Sequence, residues 1–74
     1  MDSFGTKEKI YEVSYDTVNQ AVYVSIFDEN GFSIEIDTFI NVGNPKSFAL
    51  GYASALNEEP NTSAEIVEVS LEDN

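Results

Sequence analysis

The sequence contains no cysteine, no histidine and no tryptophan, and its only basic residues are lysines. Without cysteine the chain has neither disulfides nor thiolate metal sites, which disfavours a small secreted domain stabilised by disulfide bonds. It also lacks a Gly-rich phosphate loop, so most of the groups that catalytic sites use are missing. We therefore expect a protein that is not an enzyme and that binds neither a cofactor nor a metal.

Positive charge is scarce. Three lysines oppose 14 acidic residues, and the net charge at pH 7 is −11. Proteins bind nucleic acids and anionic membranes through Lys and Arg side chains, so neither is expected as a direct ligand. A strong negative field instead steers a protein towards positively charged surfaces. The composition therefore predicts a basic protein as the partner.

Long apolar runs are also absent. No segment approaches the roughly 20 apolar residues of a membrane span, and the N-terminal MDSFGTKEK has no apolar stretch typical of a signal peptide. We expect a soluble, cytoplasmic protein. Hydrophobic residues nevertheless make up 42% of the chain, too many for a disordered acidic tail. The 74 residues are expected to fold as one domain, with residues 1–8 and 72–74 frayed.

Three segments show the composition and alternation typical of β-strands. They are residues 9–15, 21–27 and 32–38. The turn between the second and third segments determines which residues face each other. A three-residue loop that ends at Gly31 pairs Ile26 with Ile34 and Val24 with Ile36, which places the apolar residues on one face.

A helix is expected after the third strand. Asn44 is a good N-cap, Pro45 suits the first helical position, and the helix is predicted to run to about Leu56. Its apolar stripe is predicted to contain Phe48, Tyr52, Ala55 and Leu56.

Residues 64–71 read as a fourth strand with Val67, Val69 and Leu71 pointing inward. The order of elements predicts a two-layer α+β fold, in which an antiparallel β-meander of three strands and a fourth strand carry one helix on one face. The pattern leaves open whether the fourth strand lies beside the first or the third.

The uncovered face of this sheet is expected to collect acidic side chains. Strands lie about 4.8 Å apart and same-face residues roughly 7 Å apart, so the carboxylates form a grid comparable to the phosphates of a nucleic-acid strand. The predicted DNA-mimicking acids are Glu12, Glu35, Asp37, Glu68 and Glu72.

Two aromatic residues, Tyr23 and Phe27, should share the uncovered face because they alternate with the apolar residues of the second strand. Exposed aromatic residues among acids are typical of protein interfaces. They can face a partner, a second copy of the chain or their own sheet. A homodimer is expected, since a small domain with an edge strand gains stability by dimerising.

Small size, net charge of −11, absence of cysteine and compact α+β pattern together resemble the small acidic bacteriophage proteins that inhibit host DNA-binding proteins. Several members of that group are DNA mimics. The plan of strands, helix and last strand is similar to that of the phage inhibitor of the nucleoid protein HU. The resemblance implies an inhibitor that occupies the DNA-binding site of a basic host protein in the bacterial cytoplasm.

A second hypothesis is a protein-binding module that recognises another partner, such as RNA polymerase, through aromatic residues and strand edges. Small phage inhibitors of RNA polymerase have a similar size and layout. The two hypotheses differ in their dependence on charge. The DNA mimic should bind less tightly as salt rises, whereas the binding module should tolerate salt.

Overall fold

The computed structural model describes residues 9–69 as four strands and one helix. The elements are β1 (Lys9–Asp16), β2 (Ala21–Phe27), β3 (Ser33–Phe39), α1 (Pro45–Asn57) and β4 (Thr62–Glu68). They form a single sheet of order β3-β2-β1-β4, with α1 packed against it. The predicted α+β class is confirmed, and the fourth strand lies beside the first and parallel to it. The segments expected to fray, 1–8 and 72–74, lie outside the described residues.

The turn between β2 and β3 is the predicted three-residue loop. Gly31 has a φ of 88°, a conformation that glycine adopts without strain. The Gly31 N–H donates to the Asp28 carbonyl at 3.0 Å, and the Asp28 N–H donates to the Phe32 carbonyl at 2.9 Å. Ile26 consequently lies opposite Ile34, as predicted.

The register of β3 then shifts at a β-bulge. Ser25 lies opposite Glu35, but the next residue of β2, Val24, lies opposite Asp37. Ile36 is the extra residue, so the predicted pairing of Val24 with Ile36 is wrong. A bulge of one residue changes which side of the sheet the following residues face. Asp37 and Glu35 therefore lie on different faces of the sheet.

Helix α1 begins as the sequence predicts. The Asn44 side chain accepts a hydrogen bond from the Ser47 N–H at 3.2 Å, and Pro45 occupies the first turn. The helix ends at Asn57, close to the predicted Leu56. Within residues 9–69, no helix combines the length and the apolar character that a membrane crossing requires.

The helix face that contacts the sheet matches the predicted stripe only in part. Ala49 and Ala53 are buried in the core, whereas Ala55 is exposed and Phe48 is 38% exposed. Tyr52 and Leu56, the other members of the predicted stripe, pack at the margin of the core. Small side chains lie at the centre because they allow the helix to approach the sheet closely, which leaves the aromatic rings at its border.

The core lies between α1 and the middle of the sheet. Its buried members are Val13, Tyr15, Val22, Val24, Ala49 and Ala53. At the border, the ring of Phe39 packs against those of Phe48 and Tyr52, with centroids 4.9 and 5.8 Å away. Helix α1 contacts β4, β1 and, to a smaller extent, β2. Most of β3 therefore extends beyond the helix and is exposed.

Strand β4 has the opposite phase to the predicted one. Ala64 and Ile66 pack against the core, and Val67 lies opposite Ser14, on the other side of the sheet. The consecutive apolar residues Ile66 and Val67 permit either phase, and the parallel register with β1 selects Ile66. Leu71, also predicted to point inward, lies outside the described residues.

Candidate functional site

The candidate site is the open face, which we define as the face of the sheet opposite α1. Residues directly opposite each other on neighbouring strands point to the same side of a sheet. Since Val13 and Val24 face the helix, Glu12 and Ser25 face away from it. The register places Glu35 opposite Ser25 and Glu65 opposite Glu12. Three carboxylates therefore cross the sheet in one line.

We call Glu35, Glu12 and Glu65 the acid row. At the usual strand spacing, Glu12 and Glu65 lie about 5 Å apart at their backbones, and Glu35 lies about 10 Å from Glu12 with Ser25 between them. Like charges directly opposite each other destabilise a sheet. The acid row therefore does not stabilise the fold. Its presence is better explained by a role in binding.

Two of the predicted acids do not belong to the open face. Asp37 lies opposite Val24, and Glu68 lies opposite Tyr15, so both are on the helix side. Asp37 lies there because of the bulge at Ile36, and Glu68 lies there because of the phase of β4. Glu72, the fifth predicted acid, lies outside the described residues.

Glu65 is the member of the acid row that sequence reasoning missed. The error follows from choosing Val67 as an inward residue of β4. Had Ala64 and Ile66 been chosen instead, Glu65 would have fallen beside Glu12. The consecutive apolar residues Ile66 and Val67 give no local signal that selects one phase, which is set by the parallel register with β1.

Tyr23 and Phe27 both lie on the open face, as predicted. Tyr23 is opposite Ser14 and Phe27 is opposite Ile10, on either side of the acid row. Both aromatic side chains are partly buried. The open face thus has a line of charge bordered by aromatic surface, an arrangement of the kind found where charge orients a partner and aromatic rings anchor it.

The bulge also determines the surroundings of Glu35. Thr38 lies opposite Tyr23 and therefore on the open face. It is three residues from Glu35, whereas residues on the same face of a regular strand are separated by an even number of positions. Its hydroxyl donates a hydrogen bond to the Glu35 carboxylate. This contact orients one end of the acid row.

Neither lysine of the described residues accompanies the acid row. Lys9 alternates with Ile10 and so has the orientation of Tyr11, on the helix side, and Lys46 lies on α1. Within residues 9–69, the open face therefore carries carboxylates without a basic residue.

The buried acid, Asp16, has a structural role instead. Its carboxylate accepts hydrogen bonds from the Val18 N–H at 3.0 Å and the Asn19 N–H at 3.1 Å, and from the Asn19 side chain at 2.8 Å. The bonds from Asn19 are the main cause of the lowered pKa of Asp16. Asp16 closes the turn between β1 and β2 and is not part of the site.

The pKa of Tyr52 provides a test of the bulge. Burial is the main cause that raises this pKa, and the negative charge of Asp37 raises it further. We expect Asp37→Asn to move the pKa of Tyr52 back towards its ordinary value. Glu35→Gln should leave it unchanged because Glu35 lies on the other side of the sheet. The measurement is a pH titration of the tyrosine ring signals by NMR, assigned with Tyr52→Phe.

The reverse result, in which Glu35→Gln lowers the pKa of Tyr52 and Asp37→Asn does not, would place the two acids on the opposite sides from those described. The acid row would then have to be redrawn around Asp37.

Residues 9–69 contain no group of three or more His, Cys, Asp or Glu side chains arranged to hold a metal ion. Comparisons of the chain with protein-family models, with curated proteins and with solved structures found no match. The function is therefore inferred from the geometry of the open face and of the strand edges.

Proposed function

We propose that this protein is a non-enzymatic inhibitor whose open face occupies the DNA-binding surface of a basic protein. The observation that carries the proposal is the acid row, Glu35, Glu12 and Glu65, on a face without Lys or Arg among the described residues. A DNA-binding surface presents Lys and Arg side chains at the positions of phosphates. Carboxylates held in a line across one sheet can engage several of those side chains at once.

Charge has two roles in this proposal. The net charge of −11 attracts a basic protein over a distance and accelerates the encounter. The acid row then forms individual ion pairs, while Tyr23 and Phe27 supply contact area on either side of it. The partner loses access to DNA because its binding surface is covered.

A nucleoid protein of the HU type is the first target to test, because its DNA-binding surface is basic and because the chain resembles phage inhibitors of such proteins in size, net charge and order of elements. Inhibition would take place in the bacterial cytoplasm. A homodimer would present two acid rows and bind more tightly through avidity.

The experiment is a displacement assay with a bacterial HU protein bound to labelled duplex DNA. We expect the protein to displace the DNA at about 50 mM salt and to lose at least about tenfold in potency at about 200 mM salt. Because salt also weakens the HU–DNA complex, direct binding to HU is measured in parallel. Poly-glutamate at the same concentration of carboxylates is the matched control for non-specific charge.

Equal potency of poly-glutamate and the folded protein would contradict the proposal, since the arrangement of the acids would then contribute nothing. Failure to bind HU at low salt would remove HU as a target. The same assay with other basic DNA-binding proteins would then decide whether the class of partner is correct.

A further inference from the structure

The two edges of the sheet differ in whether their outward-facing backbone groups are paired. At the β4 edge, the side chain of Asn57 covers Ala64: its Nδ2 donates to the Ala64 carbonyl at 3.2 Å, and its Oδ1 accepts from the Ala64 N–H at 2.9 Å. The backbone groups of Ala64 that point away from the sheet are therefore already paired. At the other edge, no element among residues 9–69 pairs with the outer side of β3.

The β3 edge is also accessible and carries exposed apolar side chains. Residues 33–38 are all exposed, and the exposed fraction is 55% for Ile34 and 50% for Ile36. Phe32, just before the strand, is 69% exposed. Unpaired backbone groups next to exposed isoleucines are a template for another strand.

The charges of β3 indicate what kind of strand fits. The strand carries Glu35 and Asp37 and no basic residue. Pairing with β3 of a second copy would bring carboxylates together between two chains that each carry −11, which is unfavourable. A strand with Lys or Arg would instead neutralise both acids.

The bulge determines where the docked strand must carry its basic residues. Glu35 and Asp37 lie on opposite sides of the sheet, although a regular strand would place them on the same side. A docked strand therefore needs basic side chains on both of its faces, which neighbouring residues provide. Asp37 at present accepts a hydrogen bond from the Thr38 N–H at 3.1 Å, and pairing with a cation would release that N–H for the incoming strand.

We propose that β3 accepts an extended segment of a partner protein as a fifth strand, and that this segment contains adjacent basic residues flanked by apolar ones. Backbone hydrogen bonds along β3 provide affinity, and the contacts to Glu35, Asp37 and Ile34 provide selectivity. The site shares Glu35 with the acid row but does not require that the partner be a DNA-binding protein.

The probe is a peptide of about eight residues in which a central Lys-Arg pair is flanked by alternating Val and Thr. We expect NMR signal changes at the backbone amides of residues 33–38 on titration, and little change in β4. Replacing Lys-Arg by Glu-Glu should weaken binding at least about tenfold. N-methylation of alternate peptide nitrogens, on the side that faces β3, should have a similar effect because it removes the backbone donors.

Protein variants separate this site from the open face. Glu35→Lys combined with Asp37→Lys should abolish binding of the Lys-Arg peptide and confer binding of the Glu-Glu peptide. The matched control, Glu58→Lys with Glu59→Lys, changes the charge equally but should weaken binding less than about threefold. Glu12→Gln with Glu65→Gln, which disrupts the acid row, should leave peptide binding unchanged.

Three results would overturn the inference: signal changes confined to β4 or the open face, tolerance of N-methylation, or a dimer paired through β3 that excludes the peptide. Dimerisation is measured by analytical ultracentrifugation without peptide. Since the peptide assay contains neither HU nor DNA, its failure leaves the proposed inhibition of DNA binding standing, and the reverse also holds.

Discussion

Replacing Glu12, Glu35 and Glu65 together by Gln is expected to weaken inhibition of a basic DNA-binding protein about three- to a hundredfold. Each exposed ion pair with a partner Lys or Arg contributes roughly 0.2–1 kcal/mol, and about 1.4 kcal/mol corresponds to a tenfold change in affinity. Gln preserves the size of each side chain and an acceptor for the Thr38 hydroxyl. The loss is measured in the DNA displacement assay at low salt.

The matched control is the triple variant Glu29→Gln, Glu58→Gln and Glu59→Gln, which removes the same charge from the turn after β2 and from the end of α1. It should lose less than about threefold, since only long-range attraction is reduced. Equal losses in the two triple variants would show that net charge, and not the acid row, is responsible for inhibition.

Stability measurements on the same variant exclude unfolding as the cause. Glu12 lies directly opposite Glu65, and removal of this like-charge pair should raise the free energy of unfolding by about 0.2–1 kcal/mol. We therefore expect a variant that is more stable and less active. A destabilised triple variant would contradict the register that places the two glutamates side by side.

The substitution Ala53→Leu is expected to lower the free energy of unfolding by about 2 kcal/mol. Ala53 is 4% exposed and lies where α1 meets the sheet, so a larger side chain must push the helix away from the buried valines. In a domain of this size, the melting temperature should fall by roughly 8–16 °C. Thermal denaturation followed by circular dichroism measures the change.

Ala55→Leu is the control, because Ala55 is exposed on the same helix. Its effect should stay within about 0.5 kcal/mol. If Ala55→Leu were the more damaging of the two, the helix would face the sheet with the stripe predicted from the sequence instead of with Ala49 and Ala53.

The sequence was sufficient to predict the order of the elements and the approximate bounds of β1, β2, β3 and α1, because local signals determine them. The fourth strand was predicted at residues 64–71 and instead spans Thr62–Glu68. The alternation in β1, the Gly31 turn and the cap at Asn44 each act over a few residues. The bulge at Ile36 could not be predicted in the same way. Nothing in the alternation of β3 marks an extra residue, and the bulge is defined only by the pairing of β3 with β2.

The members of the candidate site were predictable where local alternation determines which face they occupy. Glu12 and Glu35 belong to strands whose phase follows from a clean alternation, and both were placed correctly. Asp37 and Glu65 follow features that depend on tertiary contacts, namely the bulge and the choice of Ile66 over Val67. A single shift of one residue is enough to exchange the two faces of a strand.

Strand β1 is the first element along the described chain, yet it lies in the interior of the sheet between β2 and β4. Its second neighbour, β4, is therefore synthesised only after the other described elements. While the chain is still on the ribosome and lacks β4, helix α1 has no Ala64 or Ile66 beneath it. Completion of the fold is consequently a late step that joins distant parts of the chain, and such long-range pairing is intrinsically slower than the formation of the β2–β3 hairpin.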